Sequence, residues 1–171
     1  TALRRFAAGL LAAAGLAGLP WLILPEVPEV EPSGDGRRDA KTMAMLVYRA
    51  LTRHPRVTVL FARRPATTSE SLRYLERGLA ILAEPFPEIA ERVYAFQTVF
   101  KLVLGHAMTH LSDATEGVDY AGLPAAEYPT LVGAADELAK LSVQRELEFG
   151  LDAMFDGFAA RAKTGSECRE S

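Results

Sequence analysis

The stretch "ELEFGLDAMFDGFAARA", Glu146–Ala162, places Leu147, Leu151, Met154, Phe155, Phe158 and Ala162 at steps of three and four. That is the period of one helical face. Yet Gly150 and Gly157 lie inside it, and each interior glycine costs a helix about 1 kcal/mol relative to alanine. Ala153 and Ala160 alternate with the glycines, so a strip of small residues runs beside the bulky one and would let another helix come close. Two readings follow. Either this is core packing within one chain, or it is a self-complementary seam between two copies, with Leu147, Gly150, Leu151, Met154, Gly157 and Phe158 at the dimer interface.

Around this helix, the 171 residues are 49% hydrophobic and 24% charged, the balance of one globular domain with a sizeable core. A net charge of −3 argues against a surface dominated by nucleic-acid binding, which relies on clustered Lys and Arg. Cys168 is the only cysteine and sits in the polar tail "TGSECRES" (residues 164–171). It fits a reducing compartment.

The segment before residue 25 has two readings. Arg4 and Arg5 precede an uncharged run from Phe6 to Leu24, the pattern of an export signal or short anchor. Gly9, Gly15, Gly18 and the alanines make that run weakly hydrophobic for a membrane span, and a soluble segment is the alternative. Residues 25–38, "PEVPEVEPSGDGRR", read as a proline-rich linker.

The compact part is expected over residues 39–163. Asp39 is a candidate N-cap for a helix carrying Met43, Leu46, Val47, Ala50 and Leu51, which ends near His54 because Pro55 disfavours helical geometry before it. "RVTVLFARRP" is a short apolar piece, better suited to a short helix than to a strand without a partner. Thr67 and Glu70 form a candidate capping box for a helix from Thr68 to Ala83. Pro87 suits the first turn of a long helix through Ile89, Val93, Phe96, Phe100, Val103 and Ala107. A polar connection from Ser112 to Tyr128 precedes a further helix at Pro129 and the last one from Glu146. Nothing reads as a sheet, so the fold class is all-α.

These elements carry a family resemblance. The run "LTRHPRVTVLFARRPATTSESLRYLERGLAIL", then "YAFQTVFKLVLGHAM", "YPTL" and the closing "ELEFGLDAMFDGFAARA" resemble the C-terminal regulatory domain of the tetracycline-repressor (TetR) family. The most specific marks are the "RHP…RRP" bracket, Leu104-Gly105, and the "EFGLD…DGF" end. The resemblance implies a TetR-like helical bundle in which the last two helices form an intersubunit four-helix bundle, hence a homodimer. It implies a small hydrophobic effector as ligand, a repressor-like role in transcription regulation, and a cytoplasmic location without a membrane partner. The family's other half is a helix-turn-helix that enters the DNA major groove. Here "RRFAAGLLAAAGLAGLPW" resembles only its opening. DNA would therefore be contacted only through a head that residues 1–24 hold as a vestige, and a stand-alone ligand-binding or hetero-dimerisation module is the alternative.

A regulator of this kind needs an apolar cavity with a few polar groups that orient the ligand. Gln97, Phe100, Lys101 and Thr109 on the long helix are candidates, with Tyr48, Tyr74 and Tyr94 combining a ring with a hydrogen-bonding tip. The positions that orient drug and metal in the family's namesake fall, by matching spacing, on Leu60, Arg63, Glu76 and Thr109. All four residue types differ. The resemblance therefore implies a cavity at the same place, with Arg63 and Glu76 as polar groups and no metal or other cofactor. His106 and His110 stand one turn apart, a spacing that can hold a metal, with Asp113 and Glu116 following, but no third ligand is fixed. No glycine-rich phosphate loop and no Ser/His/Asp or Cys/His constellation is present, so the chain does not read as an enzyme.

Overall fold

The computed structural model describes residues 19–55, 58–59, 68–110 and 119–167, and among these there are helices and no strand. A 3-10 helix, Leu19–Glu26, leads in. Then come α1 (Gly36–Arg53), α2 (Ser69–Ile81), α3 (Ile89–His110), α4 (Pro129–Gly133), α5 (Ala135–Ala139) and α6 (Val143–Glu167). The long helices expected are present with shifted ends, whereas the one expected from Pro129 is broken at Ala134 into α4 and α5. Thr58 and Val59 are helical; the rest of "RVTVLFARRP" after Pro55 and before Pro65 lies outside the described residues, as do Thr67 and Cys168.

α3 is the axis of the domain, packed between α1 on one side and α6 on the other, with α2 bridging α1, α3 and the 3-10 helix. Val47, Leu51, Val103, Ala107, Leu147 and Leu151 are almost wholly buried where the three long helices meet. This explains the mixture of β-branched, leucine and alanine residues on the stripes: the alanine lets the axes approach and the larger residues fill the space between. The compact part also takes in Ile23 and Leu24, so the core begins ahead of the proline-rich stretch.

Asp39 does not cap α1. Asp35 does, accepting from Arg38 N at 3.0 Å, while the Asp39 carboxylate accepts from Ser33 N at 2.9 Å. Ser33 holds that carboxyl below its usual range. The cap moves back from Asp39 to Asp35 because Gly36 tolerates a close approach: a Cβ there would stand 2.6 Å from Pro85 Cδ and 2.8 Å from the Ile81 carbonyl oxygen. On α2 the capping box is Thr68 with Ser71, whose backbone and side-chain bonds are reciprocal. α3 begins at Ile89 rather than Pro87, because the Phe86 and Pro87 carbonyls are held by the Arg92 guanidinium at 3.0 and 2.9 Å. The last helix begins three residues ahead of Glu146 and runs on through Thr164–Glu167, which the sequence suggested as tail.

Candidate functional site

Between α1, α2 and α3 lies a small cavity of about 30 Å³, room for roughly a water or two. Its walls are Ala40, Met43, Ala44 and Val47 from α1, Tyr74, Gly78 and Ile81 from α2, Leu82 beyond it, and Phe96, Val99, Phe100 and Val103 from α3. Every wall residue but one is apolar. The exception is Tyr74, and burial pushes its phenol well above the ordinary pKa of 10. The cavity is therefore a site for apolar matter with a single hydrogen-bonding group.

Gly78 shapes it. A Cβ at this position would stand 2.2 Å from Phe96 Cε2, so the missing side chain is the notch that admits the Phe96 ring. Phe96 in turn stacks on Phe100, with centroids 6.5 Å apart and planes 6° from parallel, and lies 6.4 Å from the Tyr74 ring. A line of three aromatic rings thus crosses the cavity from α2 to α3.

A second, larger and open hollow of about 470 Å³ lies on the other side of Tyr74. Its walls are the segment Leu24–Pro32, running alongside α2, and the α2 residues Glu70, Arg73, Tyr74, Arg77, Ala80 and Ile81, with Met43 at its floor. The segment is tied to α2 by an ion pair between Arg77 and Glu29. Glu70 is held ionised below its usual range, chiefly by its own backbone N–H and the Ser69 hydroxyl.

Of the residues singled out from sequence as ligand-binding, Phe100 lines the cavity. Glu76, Gln97, Lys101 and Thr109 are exposed and line neither hollow. They lie off the apolar stripe, and that side of α2 and α3 faces solvent; the Thr109 hydroxyl donates back to the Gly105 carbonyl at 3.0 Å. Leu60 and Arg63 lie outside the described residues. Tyr48 is buried against the edge of His110, whereas Tyr94 is exposed. The His106 Nδ1 pairs with the Leu102 carbonyl at 2.9 Å and its Nε2 faces Glu146 at 3.9 Å. Among the described residues no group of three or more His, Cys, Asp or Glu stands where it could share a metal; Asp113 and Glu116 lie outside them. The wall residues Ala44 and Gly78 were not singled out, and Val103 was read only as part of the apolar stripe of α3; their signal was small or β-branched residues facing an aromatic stripe.

On α6, Leu147 and Leu151 are wholly buried in their own chain, and Met154 and Phe158 pack against the same core. Phe158 meets Phe86 edge-on at 5.3 Å. The two glycines differ in role. Gly150 faces Leu102, whose Cδ2 would stand 3.4 Å from an added Cβ, while Gly157 opens on empty space. The outer stripe of the helix is Phe149, Ala153, Gly157 and Ala160, with Phe149 77% exposed. The flank of α6 is clamped to α1 by Arg37–Asp156 at 2.6 Å and Lys41–Asp152 at 2.7 Å.

With this geometry in place, comparison with known proteins gives a consistent answer. Residues 27–162 match the family model described as "Tetracyclin repressor-like, C-terminal domain". No curated protein matches the sequence. Among solved structures, the apo form of ActR from Streptomyces coelicolor superposes with a TM-score of 0.75 at 21% identity, over 87% of this chain and 74% of that one. The complex of ActR, a TetR family protein, with (S)-DNPA gives 0.72 at 23% identity, over 84% and 73%. Its complex with actinorhodin gives 0.72 at 22%, over 85% and 75%. At these identities the likeness speaks for the fold.

Proposed function

Because the chain belongs to the tetracyclin repressor-like C-terminal domain family, we propose that it is the ligand-sensing, dimerising regulatory domain of a transcriptional regulator. The observation that carries this reading is the apolar cavity between α1, α2 and α3, walled by aromatic and aliphatic side chains with Tyr74 as its one polar group. The fold it shares with ActR, which has been solved with (S)-DNPA and with actinorhodin, supports a small-molecule effector. The effector is an apolar molecule that enlarges the cavity on binding. Phe96, Phe100 and Val103 contact its body and Tyr74 its polar end.

The consequence of binding runs through α1. This helix is one wall of the cavity and packs on α6 both directly and through α3, with Arg37 and Lys41 paired across the contact, so displacing it shifts α6 and the arrangement of the two subunits. Contact with DNA runs through a helix-turn-helix, of which residues 1–24 resemble the opening. Among the described residues no helix is long and apolar enough to cross a membrane, and we place the protein in the cytoplasm, acting by binding rather than by catalysis.

A thermal-shift screen of small apolar compounds tests the reading. A true effector at 100 times its Kd stabilises the fold by about 2.7 kcal/mol. Ala44→Leu, which puts bulk into the cavity wall, should remove that shift. A screen in which no compound raises the melting temperature, or in which Ala44→Leu responds as the parent does, would sink the proposal.

A further inference from the structure

We propose that the open hollow beneath the Leu24–Pro32 segment is the way into the effector cavity, and that Tyr74 is the partition between them. The inference rests on the cavity being the effector site. Met43, Tyr74 and Ile81 line both hollows, so they form a wall one side chain thick. The closed side holds about 30 Å³, too little for an organic molecule, whereas the open side offers about 470 Å³ into which a ring can turn.

Tyr74 is the member of that wall fitted to move. It is partly exposed and lines the open hollow as well as the cavity, so a change of its χ1 rotamer can take the ring to the open side without disturbing the backbone of α2. Phe96 behind it cannot yield in the same way, since it is seated in the Gly78 notch. With Tyr74 turned outward the two hollows join, and an apolar molecule passing inward exchanges contact with Leu24 and Val27 for contact with Phe96 and Phe100. The Leu24–Pro32 segment acts as a strap over this path. Its inner end stays fixed, with Leu24 in the core and Glu26 paired with His54 at 2.9 Å, but the Glu29–Arg77 tie of its outer end has both side chains more than half exposed (68% and 52%), and such pairs hold weakly, so the strap lifts from Pro28 onward.

The test uses the full chain and the apolar fluorescent probe N-phenyl-1-naphthylamine in stopped-flow mixing. In a Cys168→Ser background, Glu29→Cys and Arg77→Cys are joined by a bis-maleimide whose spacer contains a reducible disulfide. Bridging should slow probe association and dissociation together by about tenfold with little change in Kd, and cutting the spacer should restore both rates. Tyr74→Ala should speed both. Rates unchanged by the bridge and by Tyr74→Ala would overturn the route while leaving the cavity reading intact. Failure of the parent and of Tyr74→Ala alike to bind the probe overturns both.

Discussion

At the scale of single residues, the absence of a side chain does different work at different glycines. Gly78 admits the Phe96 ring, and Gly78→Ala would set a Cβ 2.2 Å from it. Chemical denaturation of this variant should show a loss of about 1–3 kcal/mol, the usual cost of overpacking, in spite of alanine's better helix propensity. Tyr74 makes a second prediction. Burial keeps its phenol protonated above the ordinary value of 10, so at pH above 10 the unfolded chain has given up a proton that the folded one retains. Stability is then unaffected below about pH 9 and falls as the pH rises beyond 10, by at most about 1.4 kcal/mol per pH unit for one such group. Tyr74→Phe should flatten the alkaline limb of a stability–pH curve measured by urea unfolding. A residual slope should remain, because burial also raises Tyr48. An unchanged limb in Tyr74→Phe would show that Tyr74 ionises freely in the folded protein.

Among the elements, the long periods of α1, α3 and α6 were legible because each apolar stripe is continuous over several turns. Their starts were not. Asp35 and Asp39 are both good caps by residue type, and the choice was made by Ser33, which engages Asp39 locally, and by the approach of Pro85 to Gly36, a contact between segments far apart in sequence. The same limit applies to the site. Its apolar walls belong to the legible stripes, but Gln97, Lys101 and Thr109 were assigned to it for their polarity and Glu76 by matching spacing, and polarity is what places a helical residue on the solvent side. Likewise the pattern marks Leu147 and Leu151 as residues to be covered without saying which chain covers them. The cap on α2 gives a direct check at this scale. Ser71→Ala removes the hydroxyl that accepts from Thr68 N at 3.0 Å and donates to the Thr68 carbonyl at 2.8 Å. The expected loss is about 1 kcal/mol, read as a lower denaturation midpoint with an unchanged slope.

At the scale of the whole molecule, the bulky face of α6 is already filled by its own chain, so the surface left for a second subunit is the outer stripe of Phe149, Ala153, Gly157 and Ala160. Nearby in sequence, Leu131 and Leu141 are also exposed, and α4 and α5 pack chiefly on each other. A two-fold axis over this stripe would bury each of its residues twice. Burying a phenylalanine is worth about 1.5–3 kcal/mol, so Phe149→Glu, counted on both subunits, should weaken the dimer by about 3–6 kcal/mol, or roughly a hundred- to ten-thousandfold in Kd. Gly157→Leu separates a seam from a merely exposed face. In a lone chain an added Cβ at this position meets nothing within 4 Å, so the change should stabilise the helix by up to about 1 kcal/mol. In a close helix–helix seam the same side chain collides with its symmetry mate. Sedimentation equilibrium should therefore show a dimer for the parent and a shift towards monomer for Gly157→Leu, whose isolated subunit melts no lower than the parent's. A dimer of undiminished strength in both variants would move the subunit contact away from the outer stripe of α6.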